Sequence, residues 1–132
     1  MIDRTIRVYV AGPYTVGDPK QNVLTAMNMG SRLWDSGYIP FVPHLFHHWD
    51  QHHQRSYGEW MLMGRFWLES CNVLLRLPGP SNGADEEADY MGKILYRPCY
   101  QSFDELLTKC PPNLSLAPIT IPVHLPKFDA LL

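Results

Sequence analysis

The acidic segment between residues 84 and 91 contains one carboxylate whose position differs from that of its neighbours. An α-helix turns by about 100° per residue, which places Ala84, Ala88 and Met91 on one apolar face. Glu87 falls at the edge of that face, whereas the other three acids point away from it. A buried carboxylate needs a partner or a chemical role, because an unpaired buried charge is costly. Glu87 is therefore either a catalytic carboxylate or a structural one that accepts hydrogen bonds from loop amides.

Two turn sequences follow apolar runs that are typical of buried strands. The first covers residues 12–15 (GPYT) after the run at 6–11, and the second covers 78–83 (PGPSNG) after the run at 73–77. In α/β folds with parallel strands, ligands bind beyond the carboxyl ends of the strands. We therefore expect a binding site between these two loops.

The spacing of apolar residues divides the chain into alternating strands and helices. Strands are predicted at 6–11, 38–42, 73–77 and 94–96, and helices from the Asp18-Pro19 cap to residue 35, then at 58–70, 84–91 and 102–109. This order predicts a doubly wound, flavodoxin-like three-layer α/β domain over residues 1–110, with a mainly parallel sheet of four to five strands. Pro40 cannot donate a hydrogen bond to a neighbouring strand, so its strand is expected at the sheet edge.

The composition argues against several classes of protein. The 132 residues include 11 basic and 13 acidic side chains, a formal charge of -2, which lacks the basic surplus that nucleic-acid polymers require. No apolar run approaches the roughly 18 residues of a membrane span, and we expect no signal peptide. Cys71, Cys99 and Cys110 include no CxxC pair, which argues against a disulfide framework. We therefore expect a cytoplasmic domain with no nucleic-acid or membrane partner.

Several motifs occur together along the chain. The first strand ends in AGPY, Asn22 opens the next helix, and the GYIPFVPH segment follows that helix. An aromatic-rich helix then ends in Cys71-Asn72, and an LPG turn precedes the SNGADEE segment at 81–87. Over residues 6–97 the chain resembles the nucleoside 2-deoxyribosyltransferase-like superfamily, which contains deoxyribosyltransferases and nucleotide N-glycosidases.

The resemblance implies an enzyme that cleaves the N-glycosidic bond of a (deoxy)nucleoside. Glu87 matches the family's nucleophile, which forms a covalent glycosyl-enzyme before 2-deoxyribose passes to another nucleobase. One alternative is an N-glycosidase that hydrolyses nucleoside 5′-monophosphates, and another is a non-catalytic protein that binds or senses nucleotides. The family needs no cofactor or metal, and its members are oligomers, so the resemblance also implies a homo-oligomer.

The same resemblance assigns further residues to the site. Tyr14 matches an aromatic position beside the sugar and the nucleophile, where its phenol would hold Glu87 or contact the sugar. The alternative is a tyrosine that only covers the end of the sheet. Hydroxyl and backbone groups of the two loops would bind the sugar or a 5′-phosphate. The substrate-binding residues implied in these loops are Gly12, Pro13, Ser81, Asn82 and Gly83.

Two positions depart from the family's pattern. Many members have an aspartate that contacts the base and assists its protonation, eight residues before the Asp of a Cys-Asp pair. Here these two positions hold Gly64 and Asn72. Either Gly64 makes room for a ligand or a close helix contact, or base activation has been lost. Asp50 or His44 is a candidate for a substitute proton donor. We count Gly64 and Asp50 among the expected substrate-binding residues.

The segment between residues 43 and 57 is predicted to be a polar loop that contains five histidines. Three roles are compatible with this composition: a metal site, a source of protons, or a lid that uses histidine for stacking and hydrogen bonds. The spacing matches no zinc signature, so we expect no metal and favour the lid.

The C-terminal segment 111–132 is apolar but is interrupted by prolines. Proline disfavours both a helix and a central strand, and the segment is too hydrophobic for a free linker. We therefore expect an extended arm that packs on its own domain or on a neighbouring subunit.

Overall fold

The computed structural model describes residues 5–114, which form helices around one β-sheet. In chain order the elements are β1 (Arg7–Ala11), α1 (Pro19–Asp35), β2 (Ile39–Phe41), α2 (Phe46–His52), α3 (Tyr57–Glu69), β3 (Val73–Arg76), α4 (Asn82–Asp89), β4 (Cys99–Tyr100) and α5 (Phe103–Lys109). The sheet has the strand order β2-β1-β3-β4, and every neighbouring pair is parallel. The predicted α/β fold with a parallel sheet is therefore confirmed.

Alternating side chains of β1 fill two hydrophobic cores on opposite faces of the sheet. Val8 and Val10 face one core, together with residues of α1 and α5. Tyr9 and Ala11 face the other core, together with residues of α3 and α4. All four side chains are fully buried, as expected for a central strand that is covered on both faces. The helices form one layer on each side of the sheet, which confirms the predicted three-layer arrangement.

Two residues define how the other strands lie beside β1. Pro40 of β2 pairs with Val8 of β1, and β2 is an edge strand as predicted. Asn72 precedes β3, and its side-chain oxygen accepts a hydrogen bond from the Arg7 backbone N–H at 2.8 Å. The backbone N–H of Asn72 in turn donates to the Arg7 carbonyl at 2.9 Å. Asn72 therefore aligns the beginnings of β1 and β3.

Four of the described helices, α1, α3, α4 and α5, begin at a polar capping residue, whereas α2 follows Leu45 without a side-chain cap. The Ser56 hydroxyl accepts from the backbone N–H of Glu59, whose carboxylate accepts from the Ser56 N–H in return. Such caps satisfy the first N–H groups of a helix, which have no acceptor within the helix. The other side-chain caps are Asp18 for α1, Ser81 for α4 and Ser102 for α5.

The predicted loop at residues 43–57 is wrong in its first part. Pro43–Leu45 form a 3-10 turn, and α2 follows it directly. Phe46 and Trp49 lie about one helical turn apart, and both rings pack against Trp60 of α3, with centroids 5.2 and 5.3 Å away. These aromatic contacts come from a later part of the chain and outweigh the polar composition of the segment.

The predicted strand at residues 94–96 is also wrong. The chain continues from α4 into a π-helical turn at Tyr90–Ile94. The side chains of Ile94 and Tyr96 are 60% and 87% exposed, so these apolar residues do not belong to the sheet. Tyr96 has a positive φ of 54°, which is incompatible with a strand. The fourth strand is instead the two-residue β4, which the sequence pattern did not indicate.

The predicted C-terminal arm lies mostly outside the described residues, which end at Leu114. The packing proposed for residues 115–132 therefore stays a prediction. Across the helices formed by residues 5–114, none is long and apolar enough to cross a membrane.

Tyr38 links the region before β2 to the end of α5. Its ring is fully buried, and its hydroxyl donates to the Cys110 carbonyl at 2.8 Å. We expect Tyr38→Phe to lower the free energy of unfolding by about 1 kcal/mol, because that carbonyl loses its donor. The matched control is Tyr100→Phe, since Tyr100 is also a buried residue but its hydroxyl makes no hydrogen bond within residues 5–114. Urea unfolding measures both variants, and equal losses would contradict a contribution from the hydrogen bond.

Candidate active site

A cavity of about 670 Å³ opens beyond the carboxyl ends of β1 and β3. Its walls come from the loop after β1, from the segment between Pro43 and Met61, and from the beginning of α4. The sequence predicted a site between the loops that follow these two strands, and the cavity lies there. The sequence-predicted site residues that line it are Gly12, Tyr14, Asp50, Ser81, Asn82, Gly83 and Glu87.

Glu87 lies on the inner side of α4, as the helical spacing indicated. One of its oxygens, Oε2, accepts a hydrogen bond from the Tyr9 hydroxyl. Burial raises the pKa of Glu87 to about 7, although the hydrogen bond from Tyr9 and the charge of Arg76 act to lower it. Burial also raises the pKa of Tyr9 well above its usual value, so Tyr9 remains a hydrogen-bond donor. A carboxylate that titrates near neutral pH within a cavity is typical of catalytic groups.

Gly64 provides the space for this hydrogen bond. It is buried in α3, and a Cβ atom at this position would lie 2.9 Å from the Tyr9 hydroxyl and 3.7 Å from Oε2 of Glu87. A glycine within a helix costs about 1 kcal/mol relative to alanine. The structure favours the close-contact explanation over a ligand-binding one, because Gly64 packs behind Tyr9 and Glu87 and does not line the cavity.

Tyr14 does not hold Glu87, because Tyr9 has that role. The Tyr14 hydroxyl is instead hydrogen-bonded to Nδ1 of His47, from α2. Both side chains line the cavity. Burial, followed by the nearby charge of Asp50, raises the pKa of Tyr14. Tyr14 is therefore a protonated phenol that lines the cavity.

The loop after β1 is ordered by a side-chain amide. Nδ2 of Asn22 donates to the carbonyls of Tyr14 and Val16 at 2.9 and 2.8 Å. In the sequence, Asn22 stood out only as a motif residue expected to open the helix, and it lies in the first turn of α1 after the Asp18 cap. Its contacts show that it also determines the path of the loop that carries Tyr14.

His44 anchors the other end of the same loop. Its Nε2 lies 3.2 Å from the Gly12 carbonyl and 3.1 Å from the Pro13 carbonyl, so Nε2–H is the donor. Burial lowers the pKa of His44, which keeps its ring neutral. Pro13 packs against Gly79, where a Cβ atom would lie 2.9 Å from the proline ring, and it does not line the cavity. His44 and Pro13 therefore hold the loops in place.

The start of α4 forms another wall of the cavity. The Ser81 hydroxyl accepts from the Ala84 backbone N–H at 3.1 Å and so caps the helix. Gly83 allows a close approach by Tyr57, because a Cβ atom there would lie 2.6 Å from the Tyr57 hydroxyl. The first N–H groups of a helix have no acceptor within it, so this end of α4 suits an anionic or hydroxyl group of a ligand.

Asp50 lines the cavity as an ionised side chain. Its Oδ1 accepts from the Arg55 backbone N–H at 3.0 Å and from Nε1 of Trp60 at 2.6 Å. These two hydrogen bonds lower the pKa of Asp50. Asp50 and the neutral His44 are therefore both poor proton donors, although the sequence analysis proposed them as substitutes for the aspartate that is replaced by Gly64.

Sequence reasoning missed several residues of the site. Tyr9 carried a usable signal, because a tyrosine in a fully buried strand needs a partner for its hydroxyl. His47 was considered only as part of the histidine cluster. Arg55, Tyr57 and Trp60 also line the cavity, and no sequence pattern separated them from their neighbours. Within residues 5–114, no group of three or more histidine, cysteine or acidic side chains is placed to hold a metal ion.

Comparison with known proteins defines the family of this three-layer α/β domain. The sequence model of a domain of unknown function, DUF7768, matches residues 6–96. The match covers more than half of the chain, so the chain belongs to this family. Neither the curated proteins nor the solved structures gave a match.

The raised pKa of Glu87 predicts a pH-dependent cost to stability. The native carboxyl binds its proton up to about pH 7, whereas the unfolded one releases it near 4.5. The stability that Glu87 contributes below pH 4.5 is therefore lost as the pH rises through 7. Glutamine has no such titration. The free energy of unfolding of Glu87→Gln, relative to that of the unmodified protein, should therefore rise by about 2–3 kcal/mol from pH 5 to pH 8.

Urea unfolding at the two pH values tests this prediction. The matched control is Glu86→Gln, which removes an exposed carboxylate one residue away. A stability difference for Glu87→Gln that is the same at both pH values, or an equal pH dependence in both variants, would show that burial does not perturb Glu87.

Gly64→Ala should destabilise the protein through the Tyr9 hydroxyl. Its Cβ would meet that hydroxyl at 2.9 Å, and overpacking of this kind costs about 1–3 kcal/mol. The loss should shrink in a Tyr9→Phe background, which removes the obstructing oxygen. Gly58→Ala is the matched control in α3, because its nearest atom would lie 3.9 Å away. A double-mutant cycle from urea unfolding measures the coupling, and strictly additive losses would rule out the clash.

Proposed function

We propose that this protein cleaves the N-glycosidic bond of a (deoxy)nucleoside through Glu87 and transfers the 2-deoxyribosyl group to another nucleobase. The observation that carries the proposal is that the Glu87 carboxylate lines the cavity and that burial raises its pKa to about 7. Such a group is largely ionised just above neutral pH yet has little solvation to lose when it attacks a carbon atom. The resemblance of residues 6–97 to the nucleoside 2-deoxyribosyltransferase-like superfamily supports the same assignment.

The two oxygens of Glu87 have different environments that suit nucleophilic attack. Oε2 is held by Tyr9, whereas Oε1 has no hydrogen-bond partner within the described residues. In the proposed reaction Oε1 bonds to the anomeric carbon while the bond to the nucleobase breaks. The negative charge of Glu87 stabilises the positive charge that develops on the sugar. A nitrogen of a second base then attacks the same carbon and displaces Glu87, so the configuration is retained overall.

The walls of the cavity suit a flat nucleobase and a sugar. Phe46 and Trp60 stack on each other with their centroids 5.2 Å apart, and both line the cavity. Tyr14 and Tyr57 add further aromatic surface. The volume of about 670 Å³ lies within the range of small-molecule sites. Aromatic side chains interspersed with polar groups are common in sites that bind a heterocycle.

Arg55 favours a second candidate, the hydrolysis of nucleoside 5′-monophosphates. It lines the cavity, and its guanidinium makes no ion pair or hydrogen bond within the described residues. An arginine is well suited to bind a phosphate group through paired hydrogen bonds. Arg76, at the end of β3, instead binds Asp85 and the carbonyls of Leu77 and Gly79. In this reaction water would take the place of the second base.

One set of assays tests the function. The protein is incubated with 2′-deoxynucleosides plus a second base, and separately with (deoxy)nucleoside 5′-monophosphates, and the products are separated by chromatography. We expect a new deoxynucleoside, and Glu87→Ala should lower its rate of formation by on the order of 10³-fold or more. Asp89→Ala is the matched control on α4, because Asp89 is exposed and lies outside the cavity.

The outcomes separate the candidates. Release of free base from the monophosphate would favour the hydrolase. In that case Arg55→Gln should lower this activity and leave any activity on nucleosides unchanged. Binding of either compound without any product would favour the non-catalytic nucleotide-binding protein. Full activity of Glu87→Ala would refute the role of Glu87 as nucleophile.

A further inference from the structure

The departing nucleobase needs a proton, and the sequence-predicted donors do not suit this task. Gly64 stands where the resembled family has an aspartate. The Tyr9 hydroxyl occupies the space that a side chain at position 64 would need. Asp50 is kept ionised by two hydrogen bonds, and His44 donates its Nε2–H to loop carbonyls. If the reaction takes place in this cavity, its acid must be another residue.

Tyr14 and His47 form the remaining hydrogen-bonded pair with exchangeable protons that lines the described part of the cavity. The Tyr14 hydroxyl contacts Nδ1 of His47, and the side-chain amide of Gln51 lies 3.2 Å from Nε2 of the same ring. An amide can accept from a ring N–H in one orientation and donate to a bare ring nitrogen in the other. The His47 ring therefore keeps a partner on both sides, whether it is charged or neutral.

The charges around this pair suit proton donation. Asp50 lies close enough for its negative charge to interact with both His47 and Tyr14. Histidine is the side chain that most readily carries a proton near neutral pH. The charge of Asp50, together with burial, raises the pKa of Tyr14 and keeps its phenol protonated. The other ionisable rings nearby are His48, 5.6 Å from the His47 ring, and His44, 6.5 Å from Tyr14.

We propose that Tyr14 is the acid that protonates the departing nucleobase and that His47 supplies the proton to Tyr14. This inference rests on the proposed function. As the glycosidic bond breaks, its electron pair passes to the base, and the Tyr14 hydroxyl proton moves to a nitrogen or oxygen of that base. The Nδ1 proton of the His47 imidazolium moves to the Tyr14 oxygen, which leaves a neutral phenol and a neutral imidazole. Glu87 forms the new bond to the sugar in the same step.

A substrate that needs no acid isolates this role. In 7-methyl-2′-deoxyguanosine the base is already a cation and departs as a neutral molecule, whereas the base of 2′-deoxyguanosine must gain a proton. We expect Tyr14→Phe and His47→Gln to lower kcat on 2′-deoxyguanosine by about 10²-fold or more. Both variants should change kcat on the methylated compound by less than about 10-fold. If the protein prefers pyrimidines, the matched pair is 2′-deoxyuridine and its 5-fluoro derivative, whose base departs more readily as an anion.

The controls distinguish an acid from a structural residue. Glu87→Ala should abolish cleavage of both members of the pair, because attack on the sugar is needed in either case. His52→Gln makes the same change as His47→Gln on the same helix, but His52 does not line the cavity, so both rates should be retained.

Three results would overturn the inference and leave the proposed function standing. If Tyr14→Phe slows both substrates equally, Tyr14 positions the substrate and is not the acid. If His47→Gln leaves both rates unchanged, the proton does not come from His47. An unmodified protein that cleaves only the substrate with the better leaving group has no effective acid. A protein that cleaves no nucleoside at all contradicts the proposed function itself, and this inference with it.

Discussion

The hydrogen bond between Tyr9 and Glu87 is the contact on which the rest of the site depends. It joins the central strand to α4 where the hydrophobic core that contains Tyr9 meets the cavity that Glu87 lines. The space for it exists only because Gly64 brings α3 close without a side chain. The Ser81 cap begins α4 at the position that directs Glu87 inwards. One partly buried carboxylate therefore constrains a strand, two helices and a glycine.

Aromatic packing organises the part of the cavity wall that α2 and α3 form. Phe46 and Trp49 of α2 rest on Trp60 of α3, and this packing places His47 beside Tyr14. The cavity is thus lined by a carboxylate with a raised pKa and by a phenol–imidazole pair. In the reaction that we propose, the carboxylate is the nucleophile and the phenol is the acid.

The sequence predicted most of the fold and the main features of the site because those features depend on local patterns. The order of strands and helices, the edge position of Pro40 and the inward position of Glu87 all follow from periodicity and from proline chemistry. The errors lie where distant contacts decide. α2 forms because Trp60 covers its aromatic residues, and no strand forms at Tyr96 because the backbone turns with a positive φ. Neither contact is visible in a window of neighbouring residues.

The sequence by itself determined the fold class, the two loops that border the site and the carboxylate that differs from its neighbours. Only the tertiary structure decided which groups meet that carboxylate and which meet each other. Tyr9, not Tyr14, holds Glu87, and Tyr14 is paired with His47. The physical reason is that spacing along a helix or strand determines the face on which a side chain lies. Its partner depends on how separate elements pack, and therefore on residues far away in the chain.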